Sequence, residues 1–185
     1  MLWFRKLPRH YRPAKNLVAY LRAVKTLYIV RHAKSSWDDP ALEDFQRPLN
    51  GRGEKDAPQM GKRLHKLEAR PMLISSSPAN RALATARHMA DALHYPSTGI
   101  QEEQKLYHAG EETILEVVRS FDDKLDAAMI VGHNPGFTEF ANDLLNEDIV
   151  NIPTAGVVAA QLPIKSWKDT DWGCGGMLFF EYPRK

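Results

Sequence analysis

Thr26-Leu-Tyr-Ile-Val30, followed at once by Arg31-His32, is the stretch whose reading decides the fold. A short, uncharged run of β-favouring residues reads as a strand buried on both faces. A histidine at its carboxyl end, with an arginine beside it, is placed to act as a nucleophile toward a phosphate. Two later runs end in the same way. Met72-Leu-Ile-Ser75 passes into Ser76-Ser-Pro-Ala-Asn-Arg81, and Ala127 to Val131 passes into Gly132-His133-Asn-Pro-Gly136.

Between these runs the pattern is helical. From Gly51 to Glu68, Ala57, Met60, Leu64 and Leu67 recur at helical spacing; Pro58 is tolerable in a first turn and a kink if the helix begins sooner. Ala79 to Leu93 is alanine-rich, with Ala82, Ala86, Met89 and Leu93 on one face. Glu111 to Phe121 opens with two acids that suit a helix start, and Pro135 to Leu145 gives a further helix. A short strand is expected near Gln104 to Tyr107. Gly156 to Leu162 and Met177 to Tyr182 close the chain as strands, with a hairpin turn at Gly173-Cys-Gly-Gly176. The segment from Ala33 to Asn50 mixes Ser, Asp and Pro and reads as a long loop of functional length.

Such alternation predicts an α/β fold, a three-layer α/β/α arrangement around a mainly parallel sheet. Ligands in these sheets bind beyond the carboxyl ends of the strands. The three runs therefore deliver polar groups to one edge.

The chain has 185 residues, 43% hydrophobic and 26% charged, as expected of one globular domain. A formal charge of +2 gives no case for nucleic acid. Cys174 is the only cysteine, which rules out an internal disulfide and a cysteine-rich metal site and makes a reducing cytoplasm the default. No apolar run approaches the roughly 20 residues of a membrane span. Residues 1–25 carry Arg5, Lys6, Arg9, Arg12, Lys15, Arg22 and Lys25 with no acid. Their composition is compatible with a mitochondrial-type presequence or a contact with anionic lipid. The simpler expectation is a solvated basic extension, with a short helix over Asn16 to Val24, attached to a domain at 26–185. The sequence leaves the oligomeric state open.

A phosphoryl dianion needs donors and positive charge at its equatorial oxygens and an in-line nucleophile. Arg31 and Arg81 offer permanently charged forked donors, and His133 a further hydrogen bond. His32 must be neutral to attack, and two neighbouring guanidinium groups should lower its pKa. The expected intermediate is phospho-His32, later hydrolysed by water. The arginines do the electrostatic work of a cation, so neither metal nor cofactor is called for. Each segment alone has an ordinary structural explanation; the three together argue for a site.

Arg31-His32-Ala33 with Lys34-Ser-Ser-Trp37, then Arg47-Pro-Leu-Asn-Gly-Arg-Gly53, then Ser75 to Ala86, then Val131-Gly-His133-Asn-Pro135, resemble the histidine phosphatase superfamily, whose fold is phosphoglycerate mutase-like. Within it the chain is most similar to the small SixA-type phosphohistidine phosphatases, from about Thr26 to Tyr182. The resemblance implies His32 as the phosphorylated nucleophile and Arg31, Arg81 and His133 as phosphate-binding partners. It implies substrate binding by Arg47, and it places Ser35 near the phosphate, where a loop-capping role is the alternative.

Two departures from the family pattern stand out. Ala33 occupies a position that is glycine in most of the superfamily. Between the second arginine and the second histidine, Leu106-Tyr-His-Ala-Gly-Glu-Glu112 lacks the Gly/Trp-flanked glutamate that phosphoglycerate mutase-like relatives use as a general acid. His108, Glu111 and Glu112 are the candidates in its place, although the two acids also suit a helix start. An alkoxide leaving group needs a proton, whereas a phosphorylated histidine can leave as neutral imidazole. The expected function is thus a metal-independent phosphatase of phosphohistidine in proteins. The alternatives are a phosphatase of small phosphomonoesters and a non-catalytic phosphate-binding module.

Overall fold

The structure, a computed structural model, describes residues 24–183. The basic extension and its expected helix therefore fall almost wholly outside the described residues. Lys25, counted with that extension by its charge, opens the first strand and is buried. Its ammonium group donates to the carbonyls of Asp123 and Leu125 at 2.6 and 2.9 Å and pairs with Asp126.

Six strands form one sheet: β1 (Lys25–Arg31), β2 (Leu73–Ser76), β3 (Gln101–Glu102), β4 (Ala127–Gly132), β5 (Val157–Leu162) and β6 (Gly176–Glu181). Their order is β3-β2-β4-β1-β5-β6. The β3-β2-β4-β1 side is parallel, and β5 and β6 join antiparallel. Among the described residues four helices flank it: α1 (Gly51–Lys66), α2 (Asn80–Ala92), α3 (Glu111–Arg119) and α4 (Gly136–Leu145).

Alternation along β1 builds two cores. Tyr28 and Val30 face Met60 and Leu64 of α1 and Ala86 and Met89 of α2. Leu27 and Ile29 belong to the opposite core, with Ile114 of α3 and Phe137 and Phe140 of α4. Burial on both faces is why the strand carries no polar alternation. The sheet between two helical layers is the three-layer α/β fold expected.

Two local expectations are corrected and one alternative is decided. The strand expected over Gln104 to Tyr107 is a 3-10 turn at Gln104–Leu106, and the strand precedes it at Gln101–Glu102. The carboxylate of Glu103 accepts from the Lys105 N–H at 2.9 Å, which favours the turn, and Leu106 alone plugs the core. The final two strands do pair antiparallel, but no tight turn joins them. Residues 163–175 instead run through a 3-10 turn at Trp167–Asp169, with Trp167 sealed in the core. Of the two places allowed for Pro58, the structure takes the interior of α1, because Asn50 caps the helix by accepting from the Gly53 N–H at 2.9 Å.

Candidate active site

The register of β1 against β4 pairs Arg31 with Gly132, so His32 and His133 emerge side by side. Their ring centroids are 5.0 Å apart. β2 ends at the same edge, and Arg81 comes from the first turn of α2 just beyond it. Thr85 locks this junction: its hydroxyl accepts from the Ala33 N–H at 2.9 Å and donates to the Arg81 carbonyl at 2.7 Å. Chain segments far apart in sequence thus meet at one edge through hydrogen bonds.

His32 is oriented by its own backbone. Its Nδ1 lies 2.7 Å from the Ala33 carbonyl. A carbonyl only accepts, so the proton sits on Nδ1 and the lone pair of the neutral ring on Nε2. Arg81 Nε donates to that Nε2 at 3.3 Å. The His32 pKa is lowered to about 4, first by burial and then by the charges of Arg81 and Arg31, with the Ala33 bond opposing. Desolvation, more than the neighbouring guanidinium groups on which the sequence reading relied, keeps the ring neutral.

His133 is buried too, and its pKa is lowered to about 2, by burial first and then by the charges of His32, Arg81 and His108. Its Nε2 lies 2.7 Å from the Ser77 hydroxyl. With that hydroxyl donating, the ring proton sits on Nδ1, a buried atom with no partner. Arg31 Nη1 donates to Asn151 Oδ1 at 3.0 Å and to the Ile152 carbonyl at 2.7 Å, and its buried Nε is also unpartnered. Two buried nitrogens without a protein acceptor thus sit at the two strand ends, as donors open to an anion.

A cleft of about 200 Å³ opens here, lined by Arg31, His32, Lys34, Ser35, Trp37, Arg47, Arg81 and Thr154. Four cationic side chains line it, as a phosphoryl group requires. Arg47 does reach the cleft, but its donors point to its own loop: Nε to the Ser36 carbonyl at 2.9 Å, Nη2 to Ser35 Oγ at 2.7 Å and Nη1 to Asp44 at 3.1 Å. Ser35 is thereby engaged with Arg47, and one face of Arg47 lies 3.2 Å over the Trp37 ring. Trp37, for which the sequence allows either a rim position or core or hairpin packing, takes the first and is 73% exposed.

Among the acid candidates, His108 is at the site: its ring stacks on His133 at 5.2 Å and its Nε2 lies 3.0 Å from Asp44. Glu111 and Glu112 fill the first turn of α3 and make no hydrogen bond to the site groups. Asp44 is the residue the sequence reading missed. It accepts from Arg81 Nη2 at 2.7 Å and from the Tyr107 hydroxyl at 2.9 Å. Burial would raise its pKa, but hydrogen bonds from Arg81, His108 and Tyr107 outweigh it and hold the carboxyl far below its ordinary range. The available signal was an acid three residues before Arg47, the spacing of a helical ion pair inside a stretch read as loop. Among the described residues no group of three or more His, Cys, Asp or Glu is placed to hold a metal ion.

Fold and site together define an α/β enzyme with a cationic cleft and a neutral, backbone-anchored histidine. The family model of the Histidine phosphatase superfamily (branch 1) matches residues 27–135. An uncharacterized chloroplastic protein of Arabidopsis thaliana is 29% identical over 153 residues, covering 78% of this chain and 70% of that one. An uncharacterized protein of Mycobacterium tuberculosis is 27% identical over 168 residues, covering 84% of this chain and all of its own. Among solved structures, a protein of Agrobacterium tumefaciens provisionally named phosphohistidine phosphatase SixA superposes with a TM-score of 0.73 at 26% identity, covering 86% of this chain and 99% of its own. The protein histidine phosphatase SixA complexed with tungstate gives 0.72 at 18% identity, covering 85% and 96%. The chain belongs to the histidine phosphatase superfamily, as a SixA-type phosphatase with the phosphoglycerate mutase-like fold. Among the described residues no helix is long and apolar enough to cross a membrane.

Proposed function

We propose that this protein hydrolyses phosphohistidine in other proteins through a phospho-His32 intermediate. One observation carries the reading: His32 Nδ1 is tied to the Ala33 carbonyl, which turns the Nε2 lone pair toward Arg81 and the cationic cleft. Nε2 attacks phosphorus, the bond from phosphorus to the substrate's ring nitrogen breaks, and the imidazole departs with the proton it already carries. Arg31, Arg81 and His133 hold the equatorial oxygens, and Arg47 with Ser35 shapes the cleft wall. Water then attacks phospho-His32 and restores the ring.

The leaving group is argued from proton supply. The carboxylate at the site, Asp44, is kept ionised and has no proton to give. A substrate that leaves as neutral imidazole needs none, whereas an alkyl phosphate does. The rim, with its exposed Trp37, suits a phosphohistidine displayed on a protein surface. A reducing cytoplasm suits a chain whose one cysteine is free. Deletion of residues 1–24 should leave turnover intact.

The test is direct. Incubation with a histidine-phosphorylated protein should yield acid-labile phosphate on His32, with turnover well above that of an unactivated alkyl phosphate. Equal or faster turnover of the alkyl ester would instead favour small phosphomonoesters. The stacking of His108 on His133 supports that second reading, with His108 as the proton donor. Its signature is an alkaline limb in the pH–rate profile that disappears in His108→Gln. Tight phosphate binding without hydrolysis of either substrate would leave a binding module.

A further inference from the structure

Asp44 ties together four groups around the cleft. One carboxylate oxygen accepts from Arg47 Nη1 at 3.1 Å. The other accepts from Arg81 Nη2 at 2.7 Å and from Tyr107 at 2.9 Å, and lies 3.0 Å from His108 Nε2. The backbone carbonyl of the same residue takes Arg81 Nη1, and Arg81 Nε is on His32. Every nitrogen of the guanidinium thus has a protein partner, although the cleft opens on it. A phosphoryl group that engages Arg81 meets a second anion on the same guanidinium.

We propose that Asp44 is a specificity-determining residue, a fixed negative charge beyond Arg81 that favours a neutral or cationic leaving group and rejects substrates with a second anionic group near the transferred phosphoryl. The inference rests on the phosphohistidine reading and deepens it. Two features give the carboxylate this effect. Both its oxygens are pinned, one by Arg47 and the other by Arg81, Tyr107 and His108, so it does not swing away when an anion arrives. Its side chain is 41% exposed, so its field reaches the solvent where a leaving group would lie. A protonated imidazole is attracted there. A carboxylate-bearing alkyl phosphate is repelled, and it also competes with Asp44 for the same cations.

The experiment compares kcat/KM for phosphoimidazole and for phosphoglycolate, a phosphomonoester with its own carboxylate, and measures inhibition by inorganic phosphate. In Asp44→Asn the phosphoimidazole-to-phosphoglycolate ratio should fall about tenfold, the effect of one unit charge across several ångströms of partly exposed protein. Inorganic phosphate should inhibit more tightly, because its rival is gone. Asp44→Glu should restore the ratio toward wild type. Asp44→Ser repeats the test if the asparagine variant does not fold. Parallel loss on both substrates, or an unchanged phosphate inhibition constant, overturns the assignment and leaves Asp44 a structural brace. The parent reading fails separately: wild-type enzyme without a preference for phosphoimidazole sinks the phosphohistidine assignment, whatever the variants do.

Discussion

The ends of β1 and β4 lie in register, and each delivers one histidine to the same sheet edge, His32 lining the cleft and His133 buried beside it. The two rings differ in which nitrogen the surrounding frame has claimed. At the end of β1 a backbone carbonyl takes Nδ1 and frees a lone pair on Nε2. At the end of β4 a serine hydroxyl takes Nε2 and leaves Nδ1 as a donor. Burial keeps both neutral, so the proposed division into an attacking and a holding ring rests on the hydrogen bond at the far side of each, not on its charge.

That contrast can be broken by exchanging which ring is removed. His32→Ala should lower turnover by about four orders of magnitude or more, as loss of a nucleophile does, and abolish acid-labile phosphate on the enzyme. His133→Ala should cost about 10²–10³ in kcat, the scale of one lost oxyanion donor, while the label on His32 still forms. A label that survives the first substitution and vanishes in the second reverses the assignment of the two strand ends.

The serine that distinguishes β4 sharpens the comparison. Ser77→Ala leaves a buried ring nitrogen unpaired, at a cost of about 1–3 kcal/mol, or roughly tenfold to a hundredfold if all of it falls on the transition state. The loss should be absent when Ser77→Ala is made on top of His133→Ala, since the hydroxyl then has no ring to orient. Full additivity in that double-mutant cycle would show that Ser77 acts elsewhere.

The smallest effect is on stability. His32 titrates near 6.5 when unfolded and at about 4 when folded. As pH falls through that window the unfolded chain binds a proton that the folded site refuses, so stability decreases, by about 1–3 kcal/mol from this ring. Urea midpoints at pH 7 and pH 4.5 should show the decline, and His32→Gln should flatten part of it. An equally steep decline in the variant would assign it to His133 and the carboxylates.

Much of this arrangement was legible in the chain. Strands buried on both faces give continuous apolar runs, and each run that ends in Arg-His or Gly-His announces a polar delivery at one sheet edge. Contacts set by tertiary packing were not legible. Asp44 sits within a stretch read only as a long loop, and its importance depends on α2 and on the turn at Tyr107-His108, both distant in sequence. Trp37 carries no local sign of exposure, since an indole is more often packed away. Arg47 lines the cleft, where its charge alone points, but its bonds to Ser35, Ser36 and Asp44 depend on how the loop folds.

The strand beside β1 runs against it, and this has a practical consequence. Because β5 is antiparallel to β1, the chain reaches the catalytic edge just before β5 begins, and residues 151–154 bring Asn151 and the Ile152 carbonyl to Arg31 and Thr154 to the cleft. The wall they form belongs to none of the three segments that supply the histidines and Arg81. Reach and selectivity can be redrawn there, by lengthening or exchanging a single connector, with the chemical centre left as it stands.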